Sequence, residues 1–388
     1  MDRVKESINR VIDGLTDKIT AISRYLLENP ETAYQEYKAC EYLSRVLEKH
    51  DFEVEQGVGG VETAFFARPK DRGPGRTTVA LLAEYDALPK IGHGCGHNLI
   101  AAASLGAAIG LQSALSDSAG GFVVVGTPAE EGGGGKVRLI EAGVFNGINA
   151  AMMFHPSQQN IPGKDMLGRI KFKMEFHGRT SHASNSPDKG INALDALVLA
   201  FTNINALRQG LRSDGRIHGI ITHGGDAPNI IPDYAAGLFY VRGASIRYRD
   251  EIFDKVVRCA QAAAMAVGAK VNIEIDGPKI DPFKHNPALQ SAFTKNMELF
   301  DIAVDTDNGR RGSSDIGNLS HFLPAIHPFL SILDGGIAGH STEFRDATDT
   351  DKGRATLLAA AKLLAMTAYD FLNSTRLQEQ VAMDFRKE

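Results

Sequence analysis

A histidine, a cysteine and a second histidine at alternate positions form a short segment that suits a zinc-like metal. The segment reads His93-Gly94-Cys95-Gly96-His97. Thiolate sulfur and neutral imidazole nitrogen are the usual ligands of such ions. The intervening glycines let the backbone turn tightly around an ion. The spacing alone also fits a glycine-rich turn with a surface histidine and a buried cysteine, so the metal interpretation needs further donors.

Two adjacent glutamates supply the next candidate groups. Glu130 and Glu131 follow Pro128 and precede four glycines. Because neighbouring side chains at the end of a strand point in different directions, one carboxylate can bind a metal while the other faces a water molecule. A solvated acidic loop would also place two glutamates together, but the flanking proline and glycines favour close approach of the backbone to a ligand.

Two histidines further along the chain, His155 and His340, enlarge the donor set. Alone, a histidine before a proline, as at His155, is more often structural than a ligand. Taken together, the candidates hold two divalent ions if one ligand or a water bridges them, at a separation of roughly 3.5–4 Å. The candidate ligands are Cys95, His97, Glu131, His155 and His340. These donors permit zinc, manganese or cobalt. Cys95 as a nucleophile is the rival interpretation, but it leaves the paired glutamates and His340 unexplained.

The elements that position these groups are predicted from hydrophobic patterning. Apolar runs predict buried parallel strands over 77–83, 121–126 and 150–154, a further strand over 328–333, and a buried helix over 98–115. Ligand sites of open α/β sheets form at the carboxyl ends of the strands. We therefore expect four strand ends to deliver the carboxylates and histidines to one edge of the sheet.

The middle of the chain shows another pattern. Its predicted elements follow the order β-α-β-β-α-β, which is the ferredoxin-like arrangement, with one exposed sheet edge. They cover 170–176, 188–212, 217–222, 235–241, 251–267 and 270–275. The sequence thus predicts an α/β catalytic domain with a mainly parallel sheet flanked by helices, over 1–167 and 281–388. An α+β domain over 168–280 interrupts it.

Composition excludes several classes of partner. The 388 residues exceed the usual size of one domain, and the net charge of -5 argues against nucleic acid. An amphipathic surface helix predicted over 1–22 lacks the apolar core of a signal peptide. No apolar run is expected to span a bilayer, so we predict no membrane partner. The three cysteines do not suggest a disulfide framework, and a reducing cytoplasm is the predicted location.

Six stretches of sequence resemble one known family. They read AEYDALPKIGHGCGHN, GTPAEEGGGG, MMFHP, FHGRTSHAS, DAPNIIPD and the pair His340-Ser341, and they follow the family's order along almost the whole chain. The chain resembles the metallopeptidases that include aminoacylases, carboxypeptidase G, auxin-conjugate hydrolases and aminobenzoyl-glutamate hydrolase. Its motifs are most similar to the aminobenzoyl-glutamate hydrolase and β-alanyl-dipeptidase branch.

The resemblance implies a role for each matching residue. It implies that Glu130 is the general base and that Asp86 orients a ligand imidazole. It implies that His182, on the inserted domain, reaches the partner subunit's site in a homodimer and stabilises the oxyanion. Asn229 and Arg242 match positions that contact the substrate or its carboxylate. The metal ligands implied by the family are Cys95, His97, Glu131, His155 and His340.

These parts predict hydrolysis of a small amide, either an N-acyl amino acid or a dipeptide-like molecule. Two divalent ions per subunit would activate the attacking water, and Glu130 would take its proton. One alternative is a hydrolytic deaminase of an aryl or heterocyclic amine, although the nucleoside-deaminase signature is absent. The other alternative is a catalytically silent metal-binding protein, which the retained Glu130 and complete ligand set disfavour.

Overall fold

The structure, a computed structural model, describes residues 2–70, 77–115, 120–307, 309 and 311–387. The chain divides into two compact units. The first comprises Met1–Lys164, Lys284–Arg310 and Asn318–Glu388, and the second comprises Asp165–Phe283 and Arg311–Gly317. The domain limits expected from the sequence, with the insertion at 168–280, stay a prediction.

Helices and strands alternate through most of the described chain. The helices are α1 (Arg3–Gly14), α2 (Thr16–Glu28), α3 (Tyr37–Glu48), α4 (His97–Ala114), α5 (Gly135–Glu141), α6 (Ala193–Arg208), α7 (Ile246–Val267), α8 (Pro287–Glu298), α9 (Ile316–Phe322), α10 (Thr342–Ala347), α11 (Asp351–Asn373) and α12 (Thr375–Arg386). The strands are β1 (Phe52–Gln56), β2 (Phe65–Pro69), β3 (Thr78–Glu84), β4 (Gly121–Thr127), β5 (Ala150–Met152), β6 (His155–Ser157), β7 (Gly168–His177), β8 (Ser181–His182), β9 (Arg216–His223), β10 (Ile230–Ile231), β11 (Tyr234–Gly243), β12 (Lys270–Ile275), β13 (Ala325–Ile326) and β14 (Phe329–Ser331).

The main sheet of the first unit has the strand order β1-β2-β4-β3-β5-β13. Strands β4, β3, β5 and β13 run parallel, while β1 and β2 add an antiparallel edge. β4 is buried along its whole length and β3 along nearly all of it, as expected of central parallel strands covered on both faces. The predicted α/β class with a mainly parallel sheet is confirmed.

The path after β5 differs from the prediction. The strand expected over 150–154 ends at Met152, and His155 begins β6, which pairs with β14 in a separate two-stranded sheet. The strand expected over 328–333 is likewise only β14, and β13 takes the position beside β5. The reason is that β5 pairs with β13 at only two positions. The chain beyond β5 continues as β6, which pairs with β14 instead. His155 therefore reaches its position from a second small sheet.

Helix α4 forms the centre of the first unit. It is buried on almost every side and packs against α1, α2, α11 and β3. Small residues allow this: a Cβ at Gly106 would lie 2.7 Å from Ile19, and one at Gly110 would lie 2.7 Å from Ile12. The helix predicted over 1–22 is not continuous, because it breaks at Leu15 into α1 and α2. Its amphipathic character is as predicted: the isoleucines are buried and most other positions are exposed or half-buried.

Helix α11 corrects the expectation that no apolar segment could span a bilayer. By length and composition alone, Asp351–Asn373 is long and apolar enough to do so. However, 61% of its most apolar window is buried inside the protein. It packs against α4 and α8, which is the behaviour of a core helix in a folded unit.

The second unit has the predicted ferredoxin-like topology. Its sheet has the order β12-β7-β11-β9 with every pair antiparallel, and α6 and α7 pack on one face. Along β7 the burial alternates strictly, so Ile170, Phe172, Met174 and Phe176 face the helices. The intervening residues of β7 lie on the opposite, polar face. β9 is an edge strand of this sheet.

Candidate metal centre

The loop between β3 and α4 presents Cys95 and His97. His97 is the first residue of α4 and is fully buried, whereas Cys95 is half-buried. Gly96 lies between them with φ +79°, and a Cβ there would be 2.4 Å from Pro156. Both the backbone conformation and the space therefore require glycine. This close packing brings the Cys/His loop against the segment that carries His155.

Asp86 orients two of the predicted ligands at once. Nδ1 of His97 lies 2.8 Å from the Asp86 carbonyl oxygen and 3.2 Å from its Oδ1, so the ring donates at this nitrogen. The other carboxylate oxygen accepts from the backbone N–H of Glu131 at 2.8 Å. Burial would raise the pKa of Asp86, but these hydrogen bonds lower it below its usual value. Nε2 of His97 is left facing the centre, as a metal ligand requires.

The two glutamates follow β4 in a strained turn. Ala129 has φ +62°, a left-handed conformation that non-glycine residues rarely adopt. Its backbone N–H donates to Oε1 of Glu36 at 2.9 Å, which holds the turn in place. A Cβ at Gly135 would lie 1.8 Å from the Pro128 carbonyl oxygen, so the glycine run permits the loop to fold back on itself.

His155 and His340 approach from two further segments. Nδ1 of His155 lies 2.7 Å from the Pro156 carbonyl oxygen, and Nε2 lies 3.5 Å from Sγ of Cys95. His340 has φ +62°, and its backbone N–H donates to the Gly94 carbonyl oxygen at 3.0 Å. Its Nε2 lies 3.5 Å from Oε1 of Glu131. The structure thus brings all five predicted ligands together, while their roles as ligands stay a prediction.

Three overlapping groups of donors could each hold an ion, because their ligand atoms all lie within 4.8 Å of one another. The groups are Cys95–His97–His155, Cys95–Glu131–His340 and His97–Glu130–Glu131. Nε2 of His97 and Oε1 of Glu131 are buried and form no well-aligned hydrogen bond among the described residues. Each nevertheless lies close to one donor or acceptor, since Oε1 of Glu84 is 3.1 Å from Nε2 of His97 and Nε2 of His340 is 3.5 Å from Oε1 of Glu131. A cation among these atoms would satisfy both buried groups. The residues present therefore fit divalent ions.

The electrostatics of the cluster also favour a cation. Burial opposes charge on His97, yet Glu84, Cys95 and Asp86 raise the pKa of its ring well above the usual value. Burial lowers the pKa of His155 to about 3, which keeps that imidazole neutral and able to bind metal. Burial raises the pKa of the Cys95 thiol, so a free thiolate nucleophile is disfavoured.

Three acidic or basic residues that were not predicted from the sequence lie buried at this centre. Glu84 ends β3, pairs with the buried Lys136, and places Oε1 3.1 Å from Nε2 of His97. Glu36 supports Ala129 and also accepts from Thr63; burial raises the pKa of Glu36 to about 7. Of these three residues, only Glu84 could have been predicted as part of the site, because it lies at a strand end. Glu36 and Lys136 come together through tertiary folding.

The second unit holds the remaining predicted residues. His182 lies on β8 opposite Ile230 of β10, and the backbone N–H of Ala183 donates to the Asn229 carbonyl oxygen at 3.0 Å. Nδ1 of the exposed His182 ring accepts from the backbone N–H of Asn185 at 3.2 Å. The helix predicted from residue 188 begins at Ala193, because Asn192 caps it. His182 lies on β8, before the start of that helix.

Comparisons with known proteins agree with this geometry. Residues 80–363 match the profile of peptidase family M20/M25/M40. The chain is 38% identical to the Xaa-Arg dipeptidase of Mus musculus, over 100% of this chain and 93% of that protein. It is 28% identical to a p-aminobenzoyl-glutamate hydrolase chain of Escherichia coli, over 98% and 94%. A dinuclear metal-binding peptidase of Bacillus subtilis has a similar fold, with a TM-score of 0.71, 21% identity and coverage of 93% and 99%.

Proposed function

This chain belongs to peptidase family M20/M25/M40, and from that premise we propose that it hydrolyses N-acyl amino acids or dipeptide-like amides at a centre of two divalent ions. The family resemblance of its motifs is confirmed, and the chain is a metal-dependent amide hydrolase. The named dipeptidase and aminobenzoyl-glutamate hydrolase relatives support a small substrate with one amide bond.

The observation that supports this proposal best is Glu130 beside Glu131 and His97. Ligand atoms of all three lie within 4.8 Å of one another, while the other two donor groups of three are complete without Glu130. Bound zinc or manganese, with cobalt as an alternative, would supply a Lewis acid and lower the pKa of water. Glu130 then takes a proton from the attacking water and returns it to the leaving amine. Asp86 keeps His97 and Glu131 in orientation throughout.

A substrate panel tests the proposed reaction. The purified protein, supplied with manganese or zinc, is incubated with aminobenzoyl-glutamate, β-alanyl and arginine-ending dipeptides, N-acetyl amino acids and indole-acetyl conjugates. We expect at least one substrate to release its acid and its amine in equal amounts. Release of ammonia without acid would contradict amide hydrolysis and favour the deaminase. No turnover of any member would contradict both.

We also propose that the chain forms a homodimer through the edge of the second unit. Edge strand β9 carries Ile220 and Ile221, which are 62% and 47% exposed, and α6 exposes Val198 and Leu199. An unpaired strand edge with apolar side chains favours pairing with another chain.

Because the three cysteines are free, the cytoplasm stays the predicted location, and cell fractionation tests it. The absence of nucleic acid and membrane partners likewise stays a prediction.

Replacing Ile220 by aspartate should shift the protein from dimer to monomer. The buried carboxylate would have no partner at a symmetric interface. Sedimentation velocity of the two proteins measures the change. Met265→Asp is the control, because Met265 is more exposed, at 82%, but lies on α7. A wild-type protein that is monomeric, or an Ile220→Asp protein that stays dimeric, contradicts the proposed interface.

A further inference from the structure

A short segment before α3, residues 31–36, contacts the turn that carries the two adjacent glutamates. Oε1 of Glu36 accepts from the backbone N–H of Ala129 at 2.9 Å, directly before the glutamates. The hydroxyl of Tyr34 donates to the carbonyl oxygen of Gly133 at 2.7 Å, two residues after them. The segment therefore holds the turn on both sides of the two glutamates.

Two strained residues meet at this contact. Tyr34 and Ala129 both have φ +62°, in the left-handed region that residues with a side chain rarely adopt. They also pack against the same glycine, because a Cβ at Gly133 would lie 2.5 Å from the Tyr34 ring and 2.7 Å from the Ala129 Cβ. Strain of this kind persists only where the surrounding structure enforces it, and it occurs preferentially at functional sites.

The same segment also holds the loop that contains Asp86. The backbone N–H of Ala87, the next residue, donates to the carbonyl oxygen of Glu31 at 2.8 Å. Thr32 and Ala87 form an isolated parallel bridge. Asp86 in turn accepts from the backbone N–H of Glu131 at 2.8 Å. The 31–36 segment, the Asp86 loop and the glutamate turn are thus joined in one set of contacts within the first unit.

The carboxylate of Glu36 is an expensive group for this position. It is fully buried, and its second oxygen accepts from the hydroxyl of Thr63 at 2.9 Å. Burial raises the pKa of Glu36 to about 7, and the like charge of Asp86 adds to the increase. A neutral amide of the same shape would accept from Ala129 with less desolvation. What only the carboxylate provides is a charge-assisted hydrogen bond, which is roughly twice as strong as a neutral one.

Another buried acid of the first unit shows the arrangement that serves stability. Asp384, on α12, accepts from the backbone N–H of Ala288 at 3.0 Å, as Glu36 does from Ala129. Unlike Glu36, Asp384 also pairs with a cation, since Nζ of Lys387 lies 2.7 Å from its carboxylate. Asp384 therefore makes a suitable control for a buried acid that caps a backbone N–H.

We propose that Glu36 is a positioning residue that holds Ala129 in its left-handed conformation and so sets the directions of the Glu130 and Glu131 side chains. The proposal rests on the proposed amide hydrolysis, in which Glu130 is the general base. Glu36 acts through the backbone of the turn rather than by touching the substrate. Misplacement of a catalytic group by about 1 Å costs on the order of 100-fold in rate. We therefore expect the contribution of Glu36 to appear in kcat rather than in KM.

Replacing Glu36 by methionine and by glutamine tests this role. Glu36→Met has no acceptor for Ala129 and should lower kcat about 30- to 100-fold, with KM within about twofold of wild type. Glu36→Gln keeps an acceptor oxygen, so kcat should recover to about 3- to 10-fold below wild type. Its thermal midpoint should equal or exceed that of wild type, because the buried charge is gone. Asp384→Leu, the control, should lower the thermal midpoint and leave kcat unchanged.

A second substitution tests whether the conformation of Ala129 is the cause. Glycine adopts a positive φ without steric cost, so it needs less support from Glu36. Adding Ala129→Gly to Glu36→Met should restore kcat by about 10-fold, whereas Ala129→Gly alone should change kcat less than about threefold. No recovery in the double variant contradicts the proposed action through this residue.

The visible absorption of cobalt-loaded protein separates this proposal from the proposed reaction. The bands report the arrangement of the ligands, including Glu131, whether or not an amide is hydrolysed. We expect the bands of Glu36→Met to shift from those of wild type, and the bands of Asp384→Leu to match wild type. Such a shift supports the positioning role even if no substrate is turned over. Identical spectra of all three proteins, wild-type kcat in Glu36→Gln and Glu36→Met, or an equal loss of kcat in Asp384→Leu would overturn it. If Glu36→Met does not fold, wild-type kcat in Glu36→Gln alone overturns it.

Discussion

Replacing Glu130 by glutamine should lower kcat about 100- to 10,000-fold while the protein keeps its metal. A positioned general base contributes rate enhancements of that order, and glutamine has the same shape but cannot accept the proton. The metal should stay because the five predicted ligands are untouched. Turnover with the best substrate of the panel and metal content by elemental analysis are measured on the same sample.

Two further glutamates provide the comparison. Glu131→Gln should lose both turnover and bound metal, because Oε1 of Glu131 faces His97 and His340. Glu141→Gln, at the exposed end of α5, should behave as wild type. Full activity of Glu130→Gln contradicts its role as general base. Loss of metal in Glu130→Gln would instead assign it to the ligands.

Replacing Cys95 by serine should reduce the metal bound per chain and lower kcat/KM roughly 100-fold or more. Loss of a group that merely supports a ligand already costs about 10- to 100-fold in affinity or activity, so loss of a ligand should reach at least the upper end. Sγ of Cys95 belongs to two of the three donor groups, as do His97 and Glu131, so loss of Cys95 should affect both of its groups. Metal per chain and kcat/KM at fixed added metal are measured.

Cys259→Ser is the matched control, since Cys259 is half-buried on α7 in the second unit and lies in none of the donor groups found among the described residues. It should leave metal content and rate unchanged. A Cys95→Ser protein that retains full metal and full activity contradicts the ligand assignment. A Cys95→Ser protein that retains its metal but loses all turnover would favour the alternative in which Cys95 is a nucleophile.

The fold was predictable where the pattern is local. Continuous apolar runs predicted β3 and β4 because central parallel strands are buried on both faces. Strict alternation predicted β7, which is buried on one face. The path around His155 was not predictable, because β6 and β14 are three residues each and pair only through the tertiary structure. The close packing of α1 and α2 against α4 likewise depends on glycines of α4, which lie far along the chain.

The candidate site divides in the same way. Cysteine, histidine and glutamate are metal-binding or acid–base residue types, and ligand sites form at strand ends. The five proposed ligands and Glu130 could therefore be predicted from the sequence. Lys136 stands in a short helix, where its sequence context is that of an ordinary surface lysine, yet it is buried against Glu84. Arg169 belongs to an alternating strand and is typical of a solvated face. Only the strand register shows that Arg169 lies directly opposite Arg242, so that two positively charged side chains are neighbours in the sheet.

The most direct test of metal-dependent amide hydrolysis is to titrate metal into metal-stripped protein while following turnover. We expect no turnover without metal, recovery on adding manganese, zinc or cobalt, and a plateau near two equivalents per chain. The donor groups around Cys95, His97 and Glu131 offer places for that number of ions when ligands are shared. Full turnover by protein that elemental analysis shows to be free of metal would contradict a mechanism in which bound ions activate the attacking water.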